Sequence, residues 1–76
     1  MKEEVKIIMA AIFKINVSEI PDDAIQKGIS EWDSLHHLML IVELESHFDV
    51  SFEPEEIGIM ISLNKILEIL NLKVNG

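Results

Sequence analysis

The first segment of the chain has the spacing of an amphipathic helix. Between Glu4 and Ile15, apolar residues recur at positions i, i+3, i+4, i+7 and i+8, while charged residues fall on or near the other face. This period is that of one face of an α-helix. The apolar positions are Val5, Ile8, Met9, Ile12 and Phe13. The pattern therefore predicts a first helix over residues 4–15.

Residues 16–31 lose this period and are rich in residues that favour turns, namely Ser, Pro, Asp and Gly. Loops of this length are uncommon inside a compact domain and are often functional. Apolar residues are spaced along the segment at Val17, Ile20, Ile25 and Ile29. We therefore expect a long ordered loop that these apolar residues pin to the core.

A second strong helix is predicted from Asp33 to Phe48. Asp33 is its expected N-cap, because an aspartate carboxylate accepts a hydrogen bond from a first-turn N–H. A short third helix is expected to start within residues 53–56, Glu-Pro-Glu-Glu. Proline suits the first helical position, and acidic residues favour the positive end of the helix dipole. Gly58 keeps this helix short.

Ser62 is the expected cap of a last helix, and residues 71–76 are expected to form a frayed tail. The apolar stripe of this helix is Leu63, Ile66, Leu67 and Leu70. No segment shows the period-2 alternation of a strand. The sequence thus predicts one all-α domain over residues 1–76, a bundle of three main helices plus one short helix, with a long loop between the first and second. The predicted core is Val5, Ile8, Ile12, Leu40, Ile41, Leu44, Phe48, Ile66, Leu67 and Leu70.

Composition and charge narrow the classes of function. Fourteen acidic residues face six lysines, which gives a net charge of −8 and makes nucleic-acid binding improbable. Such a charge also disfavours anionic membranes and steers the chain toward basic partners. The chain has no cysteine, so any thiol chemistry must come from a cofactor. With no signal-peptide pattern and no long apolar run, we expect a cytoplasmic monomer without membrane insertion.

Ser34 lies at the first turn of the second predicted helix, one residue after the cap. A phosphate ester there would lie beside unpaired backbone N–H groups and the positive end of the helix dipole. On the residues alone, a secondary capping role is the more common reason for a serine at such a position.

The surrounding residues carry a resemblance to a known family. Asp33-Ser34-Leu35 opens a helix after a long loop in an acidic four-helix chain, and Trp32 precedes it. Phe48-Asp49-Val50 and Pro54-Glu55-Glu56 follow at matching places. In these respects the chain resembles the acyl carrier proteins over essentially its whole length.

The resemblance implies that a separate magnesium-using phosphopantetheinyl transferase attaches 4′-phosphopantetheine from coenzyme A to Ser34. Asp33 and Leu35 flank the attachment point and would contact the transferase. The protein would then be no enzyme but a carrier of acyl groups as thioesters. Its partners would be the transferase and the enzymes that load or use the acyl group.

The second helix departs from the fatty-acid carriers, which usually place one acidic residue straight after the Asp-Ser-Leu motif and another further along the same face. In this chain His36, His37 and Met39 occupy that region. At 100° steps, the apolar residues of this helix fall on two sides. His37, Leu40, Ile41, Leu44 and Phe48 form a core stripe, and Leu35, Met39 and Val42 lie on another side, next to Ser34. We expect this second set to form an exposed docking strip, with Glu45, Glu55 and Glu56 as its charged rim. The departure favours a specialised biosynthetic pathway.

Other functions remain open. The cargo could be aminoacyl or peptidyl, and a non-catalytic helical adaptor could use the same apolar strip. A hydrolase built on Asp33, Ser34 and a neighbouring histidine is disfavoured, because residues within one helical turn point in different directions. A metal site using His36, His37 and His47 is also disfavoured, because the paired-histidine zinc motif is absent. A surface ion pair of His47 with Glu43 is the simpler role. Trp32 is expected to anchor the loop.

Overall fold

The computed structural model describes residues 1–75 and contains four α-helices. These are α1 (Lys2–Phe13), α2 (Ser34–Phe48), α3 (Pro54–Ile59) and α4 (Leu63–Asn75). Two 3-10 turns, Val17–Glu19 and Gln26–Gly28, lie in the connection between α1 and α2. Three long helices, one short helix and a long first loop confirm the predicted all-α architecture. In the described part of the chain, no helix has the length and apolar character needed to cross a membrane.

Helix α1 ends two residues before the predicted boundary because of its backbone. Lys14 adopts the left-handed conformation with φ of 59°, and its N–H bonds to the carbonyl of Ala10. The N–H of Ile15 bonds to the same carbonyl across 3.1 Å. These bonds satisfy a free carbonyl of the last turn and stop the helix. Asp49 ends α2 in the same way, with φ of 55°.

The predicted frayed tail is wrong for residues 71–75, which continue α4; Gly76 lies outside the described residues. Extending an existing helix fixes one residue for each added bond, so it costs far less than starting one. Lys73, in the last turn, also bonds to Glu56 of α3 across 2.9 Å. The predicted start is confirmed, since the Ser62 hydroxyl accepts the N–H of Lys65 across 3.1 Å.

The loop is ordered and attached at several points, as predicted. Of the four apolar residues expected to pin it, Ile20 and Ile29 are buried, whereas Val17 and Ile25 are exposed. Asp22 instead ties the loop to α1 by bonding to two lysines, Lys2 across 3.2 Å and Lys6 across 2.9 Å. Further on, residues 24–26 form an isolated antiparallel bridge with residues 61–63.

The core matches the predicted faces of the helices. Six of the ten predicted positions are buried, and the other four, Ile8, Ile12, Phe48 and Leu67, pack against them half-buried. The large buried side chains missing from the predicted core are Met9, Phe13, Ile20, Ile29, Trp32, Phe52, Met60, Leu63 and Ile69. Most of these come from loops and helix ends, where periodicity carries little information.

Helices α1 and α2 pack antiparallel. At one end, His47 Nε2 of α2 lies 3.1 Å from Glu4 Oε2 of α1. At the other end, the ring of Phe13 packs on Trp32 with centroids 5.5 Å apart. His47 therefore pairs with Glu4 across the two helices and not with Glu43 along its own. The α1–α2 pair places Trp32 and the start of α2 at the same end of the bundle.

Candidate functional site

Ser34 is the first residue of α2 and is exposed to solvent. Asp33 caps the helix as predicted, because its Oδ1 accepts the backbone N–H of His36 across 2.8 Å. The N–H of His37 bonds to the Asp33 carbonyl across 2.8 Å. The helix geometry leaves the N–H groups of Ser34 and Leu35 without partners inside the helix. Two backbone donors and an exposed hydroxyl therefore lie together at the positive end of α2.

The Asp33 carboxylate stays ionised beside Ser34. The backbone N–H of His36 lowers the pKa of Asp33 below its ordinary value, and the side chain of His36 lowers it further. The second contact joins His36 Nδ1 to Asp33 Oδ1 across 2.8 Å. Local hydrogen bonds from His36 thus stabilise the negatively charged form of Asp33.

Trp32 fills the space behind this helix end. Its side chain is 2% exposed, which confirms that it anchors the loop. The indole N–H donates to Nδ1 of His37 across 2.9 Å. His37 is buried, as predicted from its place in the core stripe, and this bond joins it to the loop. Its Nε2 also lies 2.9 Å from the carbonyl oxygen of Ile57 in α3, a contact that the sequence did not indicate.

The predicted docking strip is exposed and not buried. Leu35 and Val42 are each 64% exposed, and Met39 is 43% exposed. Leu38, at 56%, extends the same surface. A cleft of about 370 Å³ is lined by Ile12, Leu38, Met39, Val42 and Glu43, so the apolar surface continues toward α1. Helix α2 therefore carries one apolar face in the core and a second one open to solvent.

The three predicted rim carboxylates differ in their surroundings. Glu55 is exposed. Glu45 is half-buried, and its Oε2 accepts the N–H of Phe52 across 2.8 Å. Glu56 Oε1 accepts the N–H of Glu53 across 2.7 Å, and that bond together with Lys73 lowers the pKa of Glu56. Glu45 and Glu56 thus hold α3 in place as well as facing the surface.

Sequence reasoning also missed a cleft that arises from segments distant in the chain. A cleft of about 230 Å³ opens where the first loop meets the α3–α4 connection. Its apolar lining includes Ile25 and Ile61, which are 51% and 45% exposed. No periodic pattern marks these residues, because neither lies in a long helix.

Within residues 1–75, the hydrogen bonds of His36 and His37 do not include one to Ser34 that would pair a nucleophile with a base for hydrolysis. His36 directs Nδ1 to Asp33, while His37 uses both ring nitrogens on Trp32 and Ile57. Within residues 1–75, no three His, Asp or Glu side chains gather in a way that could hold a metal ion. What the site offers is an exposed serine hydroxyl at a helix N-terminus, next to an apolar surface.

No protein-family model matches the chain, and a search among curated proteins finds no significant match.

Proposed function

We propose that the protein is a carrier that holds an acyl intermediate as a thioester on 4′-phosphopantetheine attached to Ser34. The observation that carries the proposal is the exposed Ser34 hydroxyl at the first position of α2, behind the ionised cap Asp33. A phosphodiester formed on Ser34 Oγ would accept hydrogen bonds from the free N–H groups, and the positive end of the helix dipole would stabilise its negative charge. The resemblance of the residues around Ser34 to acyl carrier proteins supports the same assignment.

The prosthetic arm would supply the chemistry that the chain lacks. The sequence contains no cysteine, so the thiol of phosphopantetheine would be the group that carries the thioester. Asp33 and Leu35, on either side of Ser34, would contact the transferase. The protein would be a substrate of its partner enzymes and not an enzyme itself.

The exposed strip of Leu35, Met39 and Val42 would be the surface that partner enzymes grip. An enzyme that acts on the arm must approach near Ser34, and this strip begins at the next residue of the same helix. Burial of apolar surface would supply affinity, less the cost of association. Since His36, His37 and Met39 occupy the region where fatty-acid carriers have acidic residues, we propose that the carrier serves a specialised biosynthetic pathway.

The test of this function is modification of the intact chain. The protein is incubated with coenzyme A, magnesium and a promiscuous phosphopantetheinyl transferase, and its mass is measured. We expect a gain of one phosphopantetheine unit on the wild type and on Ser30→Ala. Ser34→Ala should show no gain while keeping its helical content. A labelled Ser34→Ala variant, or a wild type that is never labelled, would contradict the proposal.

A helical adaptor is the second candidate, and the exposed strip on α2 is the observation that favours it. An adaptor would bind a partner through Leu35, Met39 and Val42 without any group on Ser34. Partner binding that is equal for the wild type and Ser34→Ala would support the adaptor. Dependence on the attached arm would support the carrier, and the cargo found on it would separate an acyl from an aminoacyl or peptidyl carrier.

A further inference from the structure

His37 is the only buried polar side chain in residues 1–75, and both of its ring nitrogens are engaged. An indole N–H is always a hydrogen-bond donor, and a carbonyl oxygen is always an acceptor. The bonds to Trp32 and to Ile57 therefore require one accepting and one donating nitrogen. This is the neutral imidazole with its hydrogen on Nε2.

The two partners of His37 lie in different parts of the fold. Trp32 immediately precedes the cap Asp33 and lies two residues before Ser34, so its position determines how the loop enters α2. Ile57 lies in the second half of α3. The imidazole of His37 thus connects two segments: the loop that leads into Ser34, through Trp32, and the short helix α3, through Ile57.

Helix α3 contains no fully buried residue, although Ile57 packs half-buried against the core and Met60, directly after the helix, is buried. Its polar contacts are the bond to His37, the Lys73–Glu56 pair and, just before its start, the bond from Phe52 to Glu45. The Trp32–His37 bond is buried, and a hydrogen bond is stronger where water is excluded. His37 is therefore the side chain that links α3 to the buried indole of Trp32 by hydrogen bonds.

We propose that His37 is a positioning residue for the chemistry at Ser34. Its bond to the Trp32 indole fixes the position of the backbone that enters α2. Its bond to Ile57 makes that position depend on the position of α3. The inference rests on the proposed function, since it concerns how Ser34 is presented to the enzymes that modify it. A partner that displaces α3 would change the presentation of Ser34 through two hydrogen bonds.

The test compares two substitutions of similar size. Glutamine offers one acceptor and one donor, as the neutral imidazole does, whereas leucine offers neither. We expect His37→Leu to lower kcat/KM for phosphopantetheine transfer to Ser34 by between about 2-fold and 10-fold, the worth of a single hydrogen bond. His37→Gln should restore most of the loss. Ile69→Ala, a core substitution in α4, should leave kcat/KM unchanged when all variants are measured fully folded.

Two further measurements do not depend on modification of Ser34. Trp32 is the only tryptophan of a chain without tyrosine, so its fluorescence reports on the indole directly. His37→Leu should shift the emission of Trp32 and speed amide hydrogen exchange in α3, and His37→Gln should do neither. If the wild type is never modified, the proposed function fails, while emission and exchange still test the link. If His37→Leu matches the wild type in both, or lowers kcat/KM no more than Ile69→Ala, the inference is overturned.

Discussion

His36 folds back onto the cap of its own helix. Its ring Nδ1 lies 2.8 Å from Oδ1 of Asp33, the same oxygen that accepts the His36 backbone N–H. These two bonds hold the pKa of Asp33 below its ordinary value, and the backbone bond has the larger effect. The Asp33 side chain is solvent-exposed, so water and salt weaken the electrostatic stabilisation of its carboxylate. Asp33 therefore links the pH dependence of stability to the site at Ser34.

The first prediction concerns Asp33→Asn, which keeps a capping oxygen but removes the charge. Because the folded-state pKa of Asp33 is lowered, its stabilisation is present above the unfolded value of 3.8 and is lost as the pH falls through the folded value. Urea unfolding should show the wild type more stable than the variant at neutral pH. The difference should shrink below about pH 4. A difference that stays constant into strong acid would show that the charge of Asp33 is not the cause.

The second prediction tests which face of α2 is inward. Leu44 is fully buried, whereas Leu38 on the same helix is 56% exposed. Leu44→Ala should lower the free energy of unfolding by about 2–5 kcal/mol, through lost burial and an unfilled cavity. Leu38→Ala is the matched control and should change it by less than about 0.5 kcal/mol. Similar losses for the two variants, measured by denaturant unfolding, would contradict the assigned orientation of α2.

The third prediction tests the docking strip. Met39→Glu places a charge in the middle of this exposed apolar surface, so we expect weaker loading by the native partner enzyme. The fold should be retained, because Met39 is 43% exposed, and the transferase should still modify Ser34. Asn64→Glu adds the same charge on α4 and should load normally. An unfolded Met39→Glu would make the strip part of the core, and normal loading would place docking on another surface.

The fourth prediction concerns the net charge of −8. Mutual repulsion among the acidic residues destabilises the compact state, and salt screens it with a Debye length of about 8 Å at 0.15 M. The melting temperature at neutral pH should therefore rise from low to moderate sodium chloride. Glu55→Gln removes one exposed carboxylate and should reduce the slope of this rise. A flat response in the wild type would mean that the local pairs already balance the acids.

Local sequence patterns determined where the helices form and that Ser34 begins α2. The 3.6-residue period of α1 and α2 identifies their buried faces, and Asp33 and Ser62 act as the caps that their side chains favour. The second apolar stripe on α2 was also visible, because three other helices are too few to enclose it. These features depend on neighbours in the chain, and a sequence contains that information.

Contacts between distant segments decided the rest. The burial of Phe52 and Met60, the pairing of His47 with Glu4 and the bond from His37 to Ile57 join parts of the chain that no periodicity relates. The end of α1 at Phe13 and the continuation of α4 to Asn75 likewise depend on backbone geometry and on the reach of Lys73 to Glu56. A short polar contact requires its partners to be brought within about 3 Å, and only the packed fold specifies that distance. The position of Ser34 at the start of α2 could thus be predicted from the sequence, whereas the two hydrogen bonds of His37 arise only in three dimensions.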